Sequence, residues 1–268
     1  MMVVVELVAA AVVDATKFIT SSKASVEAFK TATLLKTLSV NALIRGEVGV
    51  GKTTLARYIL PDATVIDASK LDELLSACKT TNEIIITNLE TSSNIKLLMD
   101  SISSKKLRVI ATAKPLYSND SIEDIFSIKV DIPPLSQRQE DVEALIEKFV
   151  SEAYSLFGGD GAFVQEHFNP DLSHNGISLR RQVMIHYLLA DIDEKEIMEI
   201  MESFLYEKLG SNSDYRKFLH LYEVPLIEAG LKKFKSQLQL ADKLGLNRNT
   251  LRKKISENKN YFQGDKNE

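Results

Sequence analysis

Between Gly46 and Thr53 the chain reads GEVGVGKT, with the apolar run VNALIR directly before it and TTLARYIL after it. A strand that feeds a glycine-rich turn and opens a helix leaves few folds available. The glycines let the backbone close up so that successive N–H groups converge on one point. The start of the helix adds its own unsatisfied amides and its dipole. Converging amides of this kind hold an anion. A lysine at the head of the helix supplies charge and the hydroxyl beside it a magnesium ligand, and the pattern G-x-x-x-x-G-K-[ST] is met in full. The candidate nucleotide-binding residues are Gly46, Glu47, Val48, Gly49, Val50, Gly51, Lys52, Thr53 and Thr54. The ligand they suit is ATP or ADP, with Thr53 meeting Mg through the nucleotide.

The segments that follow fit the same fold. VIDASKLDELLSAC reads as a strand tip and a helix, with Asp67 or Ser69 as its cap, and SSNIKLLMDSIS as an amphipathic helix. EIIIT and LRVIATA are continuous apolar runs rich in β-branched residues, the pattern of strands buried on both faces. Strands alternating with helices predict an α/β fold with a parallel sheet and right-handed crossovers. KVDIPPLSQRQEDV breaks the alternation with a double proline, and from there the pattern is almost wholly helical. GSNSD, Gly210 to Asp214, is the most linker-like stretch, and the last five residues read as a disordered end.

A chain of 268 residues with 44% hydrophobic and 26% charged residues is long enough for one large or two smaller soluble domains. The single cysteine, Cys78, excludes an internal disulfide framework and suits a reducing compartment. MMVVVELVAAAVVDATKF is apolar, but it has no basic start, carries Glu6 and reaches Asp14 too early to span a bilayer. It reads as a strand or first helix of the core. The expected location is cytoplasmic, with no membrane contact. The four histidines, His167, His174, His186 and His220, show no metal-ligand spacing.

Charge is distributed unevenly. The whole chain carries −4, yet Lys232 to Lys259 holds nine basic residues against two acids, a local +7. Within it, SQLQLADKLGLNRNTLRKKI reads as a helix, a turn at Gly245 and a second helix capped by Asn247. Leu251 and Ile255, at i and i+4, form the apolar seam of that second helix. Arg248, Asn249, Thr250, Arg252, Lys253 and Lys254 cover the rest. Arg, Asn and Thr at a helix N-terminus suit base edges in a major groove, and the lysines beyond suit phosphates. The implied partner is double-stranded DNA.

Together LIRGEVGVGKTTLARYI, NIKLLMDSI, RVIATA, IPPLSQRQEDV and EVPLIEAGLKKF…LADKLGLNRNTLRKKI give a resemblance over nearly the whole chain. It resembles the NtrC-like bacterial enhancer-binding proteins, sigma-54 activators in which an AAA+ ATPase precedes a Fis-type DNA-binding domain. The resemblance implies an AAA+-like nucleotide-binding domain over 1–140, a helical lid over 141–210 and a Fis-type helix-turn-helix over 211–268. It also implies a homodimer or higher homo-oligomer on a roughly palindromic DNA site, and a lid sensor arginine at Arg180, with Arg181 its neighbouring alternative.

The departures carry as much information. Such proteins end the strand at Ile84 to Ile86 in Asp-Glu, where this chain has Thr87 and Asn88. Lys114 stands where a polar sensor Asn is expected, and only Lys129 precedes IPPL in place of arginine fingers. CKTTN alone separates LDELLSA from the isoleucine strand, leaving no room for the long GAFTGA-bearing loop that touches sigma-54. The expected function is a DNA-binding transcriptional regulator with a degenerate AAA+ module that binds ATP or ADP and hydrolyses it poorly or not at all. The alternative is a weak ATPase that remodels a partner, its acid drawn from Glu90 or Asp67. An unfilled phosphate loop on a purely architectural DNA binder is a third reading.

Overall fold

The structure is a computed structural model and describes residues 18–158, 168–190 and 192–262. The N-terminal apolar run, apart from Phe18, lies outside the described residues, as do the last five residues and His167. The chain divides into two compact units, 1–192 and 193–268.

The first unit is built on five parallel strands in the order β2-β3-β4-β1-β5: β1 Ala42–Gly46, β2 Thr64–Asp67, β3 Glu83–Thr87, β4 Arg108–Ala113 and β5 Ile128–Ile132. The continuous apolar runs are apolar because both faces of the sheet are covered. Leu43, Ile84, Ile86, Val109 and Ala111 pack on one side, against α3 (Leu71–Thr80) and α4 (Ile95–Lys105). Ala42, Ile44, Ile85, Ile110 and Val130 pack on the other, against α1 (Lys23–Thr37) and α2 (Lys52–Ile59). Side chains alternate along each strand, so one run serves two cores. A short helix, α5 (Asp120–Glu123), precedes β5. The carboxyl ends of β1, β3 and β4 open on one edge, where open α/β sheets place their ligands.

After Pro133-Pro134 the chain leaves the sheet. Helices α6 (Gln139–Phe157) and α7 (Gly176–Leu188) pack on each other through Val142, Ile146, Phe149, Leu179 and Val183. These two helices form the lid.

The second unit holds α8 (Glu194–Tyr206), α9 (Asp214–Phe218), α10 (His220–Phe234), α11 (Gln237–Lys243) and α12 (Arg248–Glu257). Ile227, Leu240, Ala241 and Leu251 form its small core. The contact division falls at Ile192 and Asp193, ahead of α8, which buries no residue, whereas the sequence reading carried the lid to residue 210. GSNSD is also no loose linker. Asp214 is buried and accepts from the backbone N–H groups of Gly210 and Ser211 at 2.7 Å each and from the Ser211 hydroxyl. Those donors, the Ser211 hydroxyl foremost, draw its carboxyl down to about 2.

A candidate nucleotide site and a candidate DNA interface

The phosphate loop joins β1 to α2, as the sequence reading expected. Every carbonyl from Gly46 to Gly51 is already bonded, and each partner belongs to this chain. Lys52 Nζ donates to Gly46 O and Glu47 O at 2.7 Å each. Asn175 Nδ2 donates to Val48 O at 3.0 Å, Gly176 N to Gly49 O at 3.1 Å and Arg138 Nη2 to Val50 O at 3.2 Å. Leu55 N closes on Gly51 O at 3.0 Å. With all its acceptors engaged, the loop can offer an anion its amides without competing negative dipoles. Gly49 (φ 82°) and Gly51 (φ 102°) hold left-handed backbone. A Cβ at Gly49 would stand 2.3 Å from His174 O, and one at Gly51 would stand 2.9 Å from the Phe18 ring.

The cleft over the loop is lined by Lys52, Thr53 and Thr54, by Asn88, and by apolar side chains that include Phe18, Leu145 and Ile177. Lys52 is 9% exposed; burial pulls its pKa down, while Glu90 and Glu47 push it back up. Two residues that the motif could not give complete the frame. Asp141 is fully buried and accepts from Ser21 N, Ser22 N and the hydroxyls of Ser22 and Ser25 at 2.7–2.9 Å, and from Arg138 at 3.0 Å. Arg138 thereby links the loop, the start of α6 and the segment before α1. Its pairing was legible only as an arginine three residues ahead of an acid at a helix start. Arg180 is not brought to the loop: it donates to both Glu152 oxygens at 2.6–3.2 Å, on the lid itself. Glu152 on α6 is within its reach, and that ion pair fixes its direction.

In the second unit the helix-turn-helix is α11, a turn at Gly245, and α12. Asn247 caps α12, its side chain accepting from Asn249 N at 2.8 Å. Arg248, Asn249, Thr250, Arg252 and Lys253 are exposed, while Leu251 is fully buried and Ile255 half-buried. Lys254 departs from the expectation. It is half-buried and ion-paired with Glu223 on α10, because its place on the helix turns it toward the core side.

Residues 218–257 match the family described as bacterial regulatory protein, Fis family. NtrX from Brucella abortus has a similar fold in two crystal structures. The ADP complex gives a TM-score of 0.55 at 15% identity, over 91% of this chain and 69% of that one. The ATP complex gives 0.53 at 16% identity, over 90% and 69%. The chain shares the fold of NtrX, and its helix-turn-helix matches the Fis-family model. Limonene hydroxylase of Geobacillus stearothermophilus is 32% identical over 135 residues, 48% of this chain, which spans a quarter of that protein's length.

In this fold the tip of β3 faces the phosphate loop with neutral groups. Asn88 is left-handed (φ 53°), and its side chain donates to Asp67 Oδ2 at 2.7 Å. The Thr87 hydroxyl reaches the same oxygen at 3.4 Å, and Ser69 N and Oγ hold Oδ1 at 3.0 and 2.6 Å. Burial raises the Asp67 pKa, but these donors outweigh it and leave the carboxyl below its usual value. Neither Asp67 nor Ser69 caps α3, whose first flanking residue is Lys70 without a side-chain cap. Glu90 Oε2 accepts from Lys114 N at 3.2 Å, and Lys129 is ion-paired with Glu123. Among the described residues no group of three or more acids, histidines or cysteines could hold a metal ion, and no helix is long and apolar enough to cross a membrane.

Proposed function

We propose that this protein is a cytoplasmic, DNA-binding transcriptional regulator whose AAA+ module holds ATP or ADP as a ligand or switch and hydrolyses it poorly or not at all. One observation carries the reading: a phosphate loop with all its acceptors engaged faces a strand tip, Thr87-Asn88, that has no carboxylate of its own. The residues proposed to hold nucleotide are Gly46 through Thr54. Mg would meet the Thr53 hydroxyl and the phosphates, with no acid at the tip of β3 to anchor it. A neutral amide and hydroxyl can orient water but cannot take its proton. Hydrolysis also needs compensation of γ-phosphate charge, which an arginine from outside the loop commonly supplies.

DNA is proposed to meet α12 through Arg248, Asn249, Thr250, Arg252 and Lys253, with Asn247 setting the start of the helix. A second copy of the chain is the proposed partner. In its support, α8 leaves Ile197, Ile200 and Phe204 about half exposed at i, i+3 and i+7 along one stripe. Sigma-54 is not a proposed partner, because only Thr81 and Asn82 lie between α3 and β3.

The test is nucleotide binding and turnover measured on the same purified protein. ADP and Mg-ATP should raise the melting temperature by mass action, Lys52→Ala should remove most of that shift, and no turnover should be seen. Steady hydrolysis abolished by Lys52→Ala would establish the weak ATPase instead. Asp67, 2.7 Å from Asn88, is the one observation in favour of that second reading. Its four donors argue against it, since each one weakens the carboxylate as a base.

A further inference from the structure

Asn175 joins the lid to the phosphate loop through more bonds than a connecting residue needs. It is 1% exposed, and its amide is used in full. Nδ2 donates to Glu47 Oε2 and to Val48 O, each at 3.0 Å, and Oδ1 accepts from Leu135 N at 2.7 Å. The next residue, Gly176, donates its own N–H to Gly49 O. The backbone of Asn175 lies at φ 52°, ψ −129°, a region that glycine occupies freely and other residues adopt only when the surroundings hold them there. Two glycines flank the contact so closely that a Cβ at Gly49 would meet His174 O at 2.3 Å, and one at Gly176 would meet Gly49 O at 3.0 Å. The sensor arginine expected on α7 is committed to Glu152, so it makes none of these contacts.

We infer that Asn175 is a positioning residue, a latch through which the lid fixes the outward carbonyls of the phosphate loop and so couples lid docking to nucleotide occupancy. This rests on the proposal that the loop binds nucleotide. Of the six loop carbonyls, the three at Val48, Gly49 and Val50 are held by Asn175, Gly176 and Arg138, all beyond the sheet. The two carbonyls before them are held by Lys52 and the one after by the first turn of α2. The middle of the loop therefore takes its anion-binding shape from the lid. A lid that swings away frees those carbonyls to turn inward, where they would repel phosphate. By linkage, a nucleotide that requires the shaped loop must also favour the docked lid.

The variant that reads this is Asn175→Asp. It keeps the size and the acceptor for Leu135 N, but it faces Glu47 and Val48 O with an acceptor instead of a donor. ADP affinity by calorimetry should fall about tenfold, the scale of one or two hydrogen bonds to loop carbonyls and carboxylate. Hydrogen exchange over residues 174–180 should quicken in the free protein. In the native chain ADP should slow that exchange. Glu47→Ala, at an exposed side chain, guards against a fold lost through a buried substitution, and it should weaken ADP about twofold to threefold. Glu47→Gln added to Asn175→Asp returns a donor to the gap and should recover part of the affinity, which damage to packing alone would not allow. A native chain that binds no ADP overturns the nucleotide reading itself. A native chain that binds ADP while both single variants match it, with exchange over 174–180 unmoved, overturns the latch alone.

Discussion

The two units present their chemistry in opposite ways. In the first, the phosphate loop is proposed to work through backbone. Its amides are the proposed binding groups, its carbonyls are pinned by Lys52, Asn175, Gly176, Arg138 and Leu55, and the Val48 side chain is 63% exposed. In the second, α12 is proposed to work through side chains, with Arg248, Asn249, Thr250, Arg252 and Lys253 exposed around the buried Leu251. Backbone chemistry is indifferent to most side chains and intolerant of a few substitutions. Side-chain chemistry is graded, residue by residue. The neutral tip of β3 fits the first pattern: a site whose proposed binding groups are amides keeps them whether or not acids stand at the places of Thr87 and Asn88.

The sharpest break of that contrast is at Gly49. Alanine there takes on a left-handed backbone at φ 82° and brings a Cβ to 2.3 Å from a carbonyl oxygen, which has no flexible end to move aside. The expected cost is on the order of 3 kcal/mol, seen as a lower melting temperature together with lost ADP binding. Val48→Ala, one residue away, should stay within about 0.5 kcal/mol and bind ADP normally. Equal effects at the two positions would mean that the loop does not act through its backbone.

A smaller effect is expected on the other side of the comparison. Arg248 opens α12, where a helix in the major groove meets base edges. Arg248→Ala should cost about 1–3 kcal/mol on a selected site and much less on a scrambled one. The measurement is a pair of DNA titrations at one salt concentration. An unchanged ratio between the two sites would remove α12 as the reader of sequence.

The same contrast governs what the sequence made legible. Strands β1, β3 and β4 were visible because doubly buried strands read as unbroken apolar runs, and the loop was visible because its shape demands glycines at fixed spacing. The cap at Asn247 and the seam at Leu251 were visible because one helical turn is a local pattern. What stayed hidden depends on distant partners. Nothing in SLRRQV says that Arg180 meets Glu152 28 positions earlier, and nothing in LSHNG says that Asn175 meets a loop 127 positions back. The end of the lid is not a local pattern either, because α8 is amphipathic yet buries no residue, and amphipathicity does not say whether a helix joins a core. Pro225 suits the first turn of a helix, although α10 begins at His220.

The smallest effect separates two adjacent lysines that look equivalent in the sequence. Lys253 is exposed and makes only a 3.7 Å contact with Glu257 one turn on, a pair worth little in solvent. Its charge is available to a phosphate, so Lys253→Ala should weaken every DNA sequence similarly and reduce the salt dependence by about one counterion. Lys254 is half-buried, its ammonium set against Glu223 of α10, a side chain only 14% exposed. Its charge is spent inside the unit, holding α12 to α10. Lys254→Ala should therefore lower the stability of the C-terminal unit by about 1 kcal/mol, part of it from the Glu223 carboxylate left without its partner. The salt dependence of DNA binding should stay close to that of the native chain. Thermal unfolding beside a salt titration of both variants reads the difference. If Lys254→Ala flattens the salt slope as Lys253→Ala does and leaves stability alone, Lys254 reaches DNA and the pair with Glu223 opens to release it.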